Sequence, residues 1–171
     1  MELRTESLKS IHYRDDFNCG NAILDNYLKK QANQDIKKKL SACFVICELE
    51  DGKKVVKGYS TLSNYGISRN LVPNRYQSKF PRLYHTIPTT LLGRLARDKN
   101  YNVPRVGEFL LVDALLRAFI ASQEIASFAV IIDPIDKNAK SFYKKYGFLE
   151  LPDSQKMFIP MKSLTQLFIK D

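Results

Sequence analysis

The sequence has few of the features that would place the chain in a membrane, in a disulfide-bonded class or around a metal. None of its apolar runs approaches the ~18 residues needed to span a membrane, and the N-terminus MELRTESLKS lacks a signal peptide's apolar region. Three cysteines beside only two histidines form neither a disulfide framework nor a convincing zinc set. We therefore predict a cytoplasmic protein with buried thiols, no membrane contact and no metal.

Acidic side chains are almost absent from the middle of the chain. Residues 69–105 carry eight Lys and Arg against one acid, Asp98, and so hold +7 of the net charge of +9. The remaining residues are nearly balanced, which favours a local anion site over a uniformly basic nucleic-acid coat. An apolar fraction of 44% is enough for a real core, and 171 residues predict a single domain over 1–171.

Hydrophobic periodicity predicts a mixed α/β chain. Strands dominate the first half with one early helix after Gly20, and β-α-β-α units follow. Asp51-Gly52 between two strand patterns predicts a hairpin. A segment from roughly Asn64 to Pro88 has no clear period, and a connection of that length is usually functional or mobile.

One junction has the pattern of a ligand site: LLGRLARDKNYNVPRVGEFLLVDALLRA reads as a strand, a short loop and a long buried helix. A helix N-terminus has unpaired N–H groups and partial positive charge, so it can bind an anion. Arg105 precedes that end, and Gly107 lets the backbone approach a ligand. Alone this is a weak signal, because an Arg and a Gly before a helix are commonplace.

The junction resembles motif A of the GNAT superfamily of acetyl-CoA-dependent N-acetyltransferases, in which a strand ending in Leu-Ala-Val-like residues leads through a Q/R-x-x-G-x-G/A loop into a helix. DPIDKNAKSFYKKYGF resembles the superfamily's motif B, where an Asn and a Tyr flank coenzyme A. The resemblance implies one GNAT domain with a mostly antiparallel sheet, splayed at the cofactor site, and helices on both faces. The residues implied to bind acetyl-CoA are Leu95, Ala96, Arg97, Asn102, Val103, Pro104, Arg105, Val106, Gly107, Glu108, Asn138 and Phe142.

A narrower resemblance covers the N-terminal half. F-x-C-G-x-x-x-L-D-x-Y-L runs from Phe17 to Leu28, and I-P-x-x-L-L-G-R-L-A runs from Ile87 to Ala96. Both are similar to the GNAT branch that contains the bacterial aminoacyl-tRNA-acetylating toxins. This branch implies an aminoacyl-tRNA acceptor and a small ribbon-helix-helix antitoxin as partner, although a stand-alone enzyme is equally compatible with the sequence. The sheet edges and last strand permit a homodimer.

Three positions depart from the superfamily pattern. Arg105 replaces the central loop Gly, Asn102 replaces the leading Gln or Arg, and Arg97 replaces a residue that is usually apolar. A side chain at the Gly position crowds a pyrophosphate, although Arg105 can offset this through charge-assisted bonds to phosphate. One alternative is therefore a non-catalytic GNAT-fold binding protein with a degraded cofactor loop.

The resemblance implies that Tyr143 is the general acid that protonates the leaving thiolate of coenzyme A. A phenol of pKa ~10 roughly matches a thiol of pKa ~8.5–10. Backbone N–H groups along Leu95 to Arg97 would polarise the acetyl carbonyl. The alternative is that Tyr143 only fills an aromatic helix stripe with Phe142 and Tyr146.

No general base is evident in the sequence. The strand TTLLGRLAR has no Glu, and Asp98 and Glu108 are the only nearby carboxylates. A lysine amine of pKa ~10.4 needs deprotonation, whereas an α-amino group of pKa ~7.7 is largely ready at neutral pH. The pattern therefore favours an α-amine acceptor, which an aminoacyl-tRNA, a small amine or a peptide could supply.

The basic middle segment has three interpretations. Arg97, Lys99 and Arg105 can neutralise the phosphates of coenzyme A. A second set of basic residues, together with neighbouring tyrosines, can form a surface that binds tRNA phosphates and stacks on its bases. The third interpretation is a solvated, mobile loop. The residues of the tRNA set are Arg69, Arg75, Lys79, Arg82 and Arg94.

Overall fold

The computed structural model describes residues 2–169. These residues form eight strands: β1 Glu6–Ser7, β2 His12–Tyr13, β3 Ala42–Glu50, β4 Lys53–Ser68, β5 Thr86–Arg97, β6 Ala129–Ile132, β7 Leu149–Glu150 and β8 Met157–Pro160. The α-helices are α1 Ala22–Asn26, α2 Ala32–Lys37, α3 Asn74–Gln77, α4 Val106–Ser122, α5 Lys137–Lys145 and α6 Met161–Phe168. The predicted mixed, mostly antiparallel fold is confirmed.

The chain divides into two compact units. The first contains the residues up to 63 together with 92–114, and the second contains 64–91 together with the residues from 115 onward. β4, β5 and α4 contribute residues to both units. The single domain over 1–171 and the splay of the sheet stay predictions, and the units are described in turn.

In the first unit, β3 pairs antiparallel with both β1 and β4, and β2 pairs in parallel with β4. The predicted hairpin between β3 and β4 is confirmed. Asp51 and Gly52 both have positive φ, 47° and 76°, as a type I′ turn requires. The predicted early helix is α1 and α2 joined by a π-helical turn, Tyr27–Gln31.

The core of the first unit has two clusters. In one, the buried ring of Tyr59 lies against Phe17 and Tyr27, with centroids 5.6 and 6.3 Å away. The other packs α4 onto the sheet through Ile46, Tyr101, Val106 and Leu110. Gly58 on β4 permits this contact, because a Cβ there would stand 3.0 Å from Cδ1 of Leu110.

In the second unit, β5 pairs in parallel with β6, and β8 pairs antiparallel with both β6 and β7. All residues of β6 and β8 are buried, as their apolar runs predict. Their side chains form a core with residues of β4, β5 and the connection between them. Its members include Ala129, Ile131, Phe158, Ile67, Ile87 and Val72.

The prediction of a patternless segment from Asn64 to Pro88 is wrong at both ends. β4 continues to Ser68 and β5 begins at Thr86, so the irregular connection is 69–85 and contains a 3₁₀ turn and α3. Residues 64–68 alternate in burial as a strand does. Gly66 weakens that alternation in the sequence, and Pro88 lies within a strand where it suggests a break.

Among residues 2–169, no helix combines the length and apolar character needed to cross a membrane. The three cysteines are free thiols, with Cys43 buried and Cys19 and Cys47 half-buried. Burial raises the pKa of Cys19 and Cys47 to about 11 and that of Cys43 to about 12. All three are therefore protonated at neutral pH and are not nucleophiles.

Candidate active site

The F-x-C-G-x-x-x-L-D pattern builds the turn before α1. Asn18 Oδ1 accepts a hydrogen bond from the N–H of Gly20 at 2.9 Å, and Gly20 has the left-handed φ of 87° that favours glycine. Asn21 caps α1 by accepting from two N–H groups of its first turn. Asp25 accepts from the N–H of Cys19 at 2.8 Å. The pattern therefore shapes a turn.

Asp98 joins this turn to the end of β5. Its Oδ2 accepts from the N–H of Asn18 at 3.0 Å, and its Oδ1 accepts from the N–H of Asn100 at 2.8 Å. The N–H of Lys99 also donates to the carbonyl of Asn18 at 2.8 Å. Since both oxygens of this buried carboxylate bind backbone N–H groups, Asp98 positions the strand end from which the loop departs.

The loop from β5 to α4 ends in a residue with left-handed backbone. Arg105, where the superfamily has Gly, has φ of 63°, a conformation that costs a residue with a Cβ roughly 1–2 kcal/mol. The turn that a glycine would make is therefore kept despite the side chain. The guanidinium pairs with Glu108 in a bidentate geometry, with N···O distances of 2.7 and 3.0 Å.

α4 begins immediately after Arg105. Val106 is buried and anchors the helix, and the side chain of Arg105 is 78% exposed. No protein atom lies within 4 Å of the position that a Cβ on Gly107 would take, so packing of the chain does not require glycine there. The N–H groups that begin α4, the Arg105 charge and this open backbone fit the phosphates of coenzyme A.

The other predicted cofactor residues of the first unit divide into a buried and an exposed set. Leu95 and Val103 pack against the cluster that holds α4, and Ala96 is buried. Arg97 donates from Nη1 to the carbonyl of Tyr101 at 3.0 Å, which closes the start of the loop. The exposed set is Arg97, Asn102 and Pro104.

In the second unit, Tyr143 lies on α5, which is capped by Asp136 accepting from the N–H of Ala139 at 2.7 Å. The Tyr143 ring packs between Phe142 and Phe148, with centroid distances of 5.3 and 5.5 Å. Within residues 2–169 its hydroxyl has no hydrogen-bond partner. Burial raises the pKa of Tyr143 to about 12. The ring therefore fills the predicted stripe and still carries a protonated, uncommitted hydroxyl.

The backbone holds Tyr143 firmly at the end of α5. Its carbonyl accepts from the N–H groups of Tyr146 and Phe148 at 3.0 and 3.2 Å. Gly147 has φ of 91° and ends the helix as predicted. Asn138 is exposed in the first turn of α5, and Phe142 is half-buried.

The five predicted acceptor contacts have different environments. In the second unit, Lys79 and Arg82 are exposed, and the Arg75 guanidinium lies 4.8 Å from the ring centroid of Tyr76. Arg69 donates instead to backbone carbonyls of its own connection. In the first unit, Arg94 lies 3.4 Å over the ring centroid of Tyr27, whose hydroxyl donates to Asp35 at 2.9 Å.

One group of metal-type ligands lies among the described residues: Glu6, His12 and Cys47, with ligand atoms within 4.8 Å of one another. The N–H of Lys9 donates to Nδ1 of His12 at 2.9 Å, so the proton of the neutral ring lies on Nε2, 3.3 Å from a Glu6 oxygen. Lys54 donates to both Glu6 oxygens. The cluster therefore ties β1 and β2 to the sheet and offers no imidazole lone pair to a metal.

Two surface cavities lie away from the predicted site residues. The larger, of about 540 Å³, is bounded in the second unit by Lys140 and residues 150–155. The smaller, of about 300 Å³, is bounded in the first unit by residues 10–15 with Lys29 and Lys53. Their linings share no residue with the predicted cofactor or acceptor sets.

Sequence reasoning missed three functional or positioning features. The close contact at Gly58 could have been predicted, since an isolated Gly within a strand pattern often marks a close backbone approach. Asp98 stood out as the single acid of 69–105, but its link to Asn18 joins residues 80 positions apart. The carbonyl contacts of Arg69 have no sequence signal, because backbone acceptors leave no trace in residue identity.

Comparison with known proteins identifies the chain's class. It matches no model of a known protein family. It is 29% identical to a probable toxin TacT of Sinorhizobium fredii over 164 residues, which cover 91% of this chain and 89% of that protein. It is 31% identical to a tRNA-acetylating toxin of Mycobacterium tuberculosis over 132 residues, covering 77% of this chain and 75% of the other.

Solved structures agree over nearly the whole chain, each covering 98% of it. AtaT complexed with acetyl-methionyl-tRNAfMet has a TM-score of 0.88 at 26% identity over 100% of that chain. AtaTR bound with AcCoA has a TM-score of 0.83 at 27% identity over 98%. A tyrosine-to-phenylalanine mutant of the AtaT toxin bound to the C-terminus of the antitoxin AtaR has a TM-score of 0.80 at 25% identity over 99%.

The fold, together with a helix N-terminus suited to phosphates, defines an acetyltransferase of the GNAT superfamily. The resemblance predicted from the sequence motifs is confirmed. Given its identity to the Mycobacterium tuberculosis protein over three-quarters of its length, the chain belongs to the family of tRNA-acetylating toxins.

Proposed function

We propose that this protein transfers the acetyl group of acetyl-CoA to the α-amine of an aminoacyl-tRNA. The observation that carries the proposal is its 31% identity to a tRNA-acetylating toxin over 77% of the chain. The acetyl-CoA and acetyl-methionyl-tRNA complexes of structural neighbours support the same cofactor and acceptor class. Bound acetyl-CoA supplies an activated thioester. The chain's own residues bind and orient the cofactor and protonate the leaving thiolate.

The loop and first turn of α4 hold the cofactor's phosphates in this proposal. The N–H groups from Val106 to Glu108 are the donors, and Arg105 adds a positive charge beside them. Asn102, Val103 and Pro104 line the approach, and Asn138 and Phe142 are the contacts from α5. Along Leu95 to Arg97, backbone N–H groups polarise the acetyl carbonyl.

Tyr143 is the proposed proton donor to the leaving thiolate. Its hydroxyl is uncommitted among the described residues, and its pKa of about 12 keeps it protonated throughout the physiological range. Against a thiol of pKa ~8.5, full proton transfer is uphill by roughly three to four pKa units. Hydrogen-bond donation to the developing negative charge is therefore its main contribution, with proton transfer late in the reaction.

The carboxylates near the loop support an α-amine acceptor. Both oxygens of Asp98 accept backbone N–H groups, and both oxygens of Glu108 accept from Arg105. Neither carboxylate is placed to deprotonate a lysine amine of pKa ~10.4, while an α-amine of pKa ~7.7 needs little assistance. A small-molecule or peptide amine is the second candidate, since it satisfies the same amine chemistry.

The partner proposals follow from the neighbours. An antitoxin is the expected protein partner, because the AtaT toxin binds the C-terminus of the antitoxin AtaR. That this partner is a small ribbon-helix-helix protein, and that the enzyme forms a homodimer, are further parts of the proposal. A cytoplasmic location is supported by the three free thiols.

A transfer assay tests the function and the role of Tyr143 together. We expect labelled acetyl from acetyl-CoA on the aminoacyl group of charged tRNA, and a loss of ~10²-fold or more in kcat for Tyr143→Phe. Tyr146→Phe, the same change at the residue that follows α5, is the matched control and should keep wild-type turnover.

Three results would contradict the proposal at different points. If a small amine or peptide is acetylated and tRNA is not, the acceptor is that amine and not an aminoacyl-tRNA. No heat or thermal shift with millimolar acetyl-CoA would favour a non-catalytic binding protein. Wild-type turnover by Tyr143→Phe would remove Tyr143 from the reaction while leaving the acceptor intact.

A further inference from the structure

The connection between β4 and β5, residues 69–85, is folded around the side chain of Arg69. The main-chain N–H of Arg69 donates to the carbonyl of His85 at 2.9 Å, which joins the two ends of the connection. Its guanidinium donates at 2.8, 2.9, 2.5 and 3.4 Å to four carbonyls within the connection, those of Gln77, Phe80, Pro81 and Tyr84.

One side of this connection packs onto the other residues of the second unit. Val72 is buried, and the Tyr76 ring lies edge-on to Phe128 and Phe158, with centroids 5.6 and 5.8 Å away. Phe80 lies edge-on to Phe128 at 5.0 Å. These aromatic contacts end at Phe80, and residues 81–86 are all exposed. The guanidinium bonds of Arg69 to the carbonyls of Pro81 and Tyr84, together with its main-chain bond to His85, tie that exposed stretch to the start of the connection.

The exposed side of the connection carries RNA-binding chemistry. Arg75, Lys79 and Arg82 are exposed cations, and residues 69–86 contain no Asp or Glu. The Tyr84 side chain beside them is 53% exposed. Cations that neutralise phosphate, together with an exposed ring on which a base can stack, suit a nucleic-acid acceptor better than a small amine.

We propose that Arg69 is a positioning residue that holds residues 77–85 as a preformed RNA-binding surface and does not itself contact the acceptor. This inference rests on the function proposed above and reassigns Arg69 from the predicted direct contacts. The planar guanidinium presents its donors in a rigid fork that can reach several carbonyls at once, whereas the lysine ammonium is a compact point charge. Lysine at this position therefore keeps the charge but cannot hold the connection.

The test compares two substitutions at each of two positions in the full-length chain. Arg69→Lys should raise the KM for aminoacyl-tRNA about as much as Arg69→Ala, by about tenfold, since the surface must then be ordered during binding. The KM for acetyl-CoA should not change. At Arg82 the expected pattern differs, because a phosphate contact depends mainly on charge: Arg82→Lys should raise the KM for tRNA less than Arg82→Ala does.

Amide hydrogen exchange provides a readout that is independent of the acceptor. In Arg69→Lys, exchange should accelerate in residues 77–85 and stay unchanged in α4 and α5. A wild-type KM for tRNA in Arg69→Lys, or a raised KM with no faster exchange, would overturn the positioning role. If the wild-type enzyme acetylates no aminoacyl-tRNA, the proposed function fails and the RNA surface with it, whatever the exchange result at Arg69.

Discussion

Replacing Arg105 by glycine separates two contributions of one residue, its backbone conformation and its charge. With φ of 63°, Arg105 bears a left-handed backbone cost of roughly 1–2 kcal/mol that glycine would remove. Glycine would also make the unfolded chain more flexible, at a cost of roughly 0.4–1 kcal/mol. The lost pair with Glu108 adds at most ~1 kcal/mol, and less in practice because the Arg105 side chain is 78% exposed. These effects nearly cancel, so we expect the midpoint of thermal unfolding to change by no more than a few degrees.

Cofactor affinity should respond much more strongly than stability. Arg105→Gly removes a charge that can bond to phosphate, worth about 1.5–3 kcal/mol for a charged hydrogen bond. It also removes a positive charge from beside the Glu108 carboxylate at the start of α4. We therefore expect the Kd for acetyl-CoA, measured by titration calorimetry, to rise by about tenfold or more.

Two further variants identify the cause of that loss. Arg105→Lys keeps the charge without the bidentate geometry and should bind acetyl-CoA with intermediate affinity. Combining Arg105→Gly with Glu108→Gln should recover part of the affinity if the exposed carboxylate repels phosphate. Wild-type or tighter binding by Arg105→Gly would refute the reasoning, because Arg105 would then be only a strained substitute for the superfamily glycine.

The remaining predictions concern stability. Asp98→Ala removes the acceptor of two part-buried N–H groups and should lower the free energy of unfolding by about 1–3 kcal/mol in total in urea titrations; an unchanged midpoint would contradict its positioning role. Gly58→Ala should cost about 1–3 kcal/mol, since its Cβ would meet Leu110 at 3.0 Å and a backbone carbonyl at 3.3 Å; a stabilised variant would show that α4 shifts freely. Burial lowers the pKa of His12 below its usual 6.5, so the unfolded chain binds more protons and stability should fall as the pH drops below about 6.5. His12→Asn should flatten that dependence of stability on pH. If the variant shows the same slope, groups other than His12 cause it.

The strongly patterned elements were predictable because their signals are local. The apolar runs of β6 and β8, the hairpin at Asp51-Gly52 and the Gly147 helix end each depend on neighbouring residues. The segment 64–68 was missed because Gly66 dilutes a genuine alternation. The π-helical turn within the early helix has no residue signature, since it depends on backbone hydrogen-bond spacing.

Residues of the candidate site could be predicted where a family motif contains them, but not where their role depends on tertiary contacts. Arg105, Gly107 and Tyr143 were found through a family pattern, whereas the role of Arg69 was predicted as a direct acceptor contact. In the structure its guanidinium binds carbonyls of its own connection. A basic side chain in a basic segment looks the same in sequence whether it faces solvent or its own backbone.

By itself, the sequence determined the order and type of the main elements and the family, and it supplied the residues proposed for the cofactor loop, because these depend on side-chain identity at short spacing. The tertiary structure alone decided that Arg105 keeps a glycine-like turn, that Asp98 joins two distant segments, and that the Arg69 guanidinium binds carbonyls of its own connection. Each of these rests on a backbone dihedral or on a bond to a backbone group, and the partners of those groups are chosen only when the chain has folded.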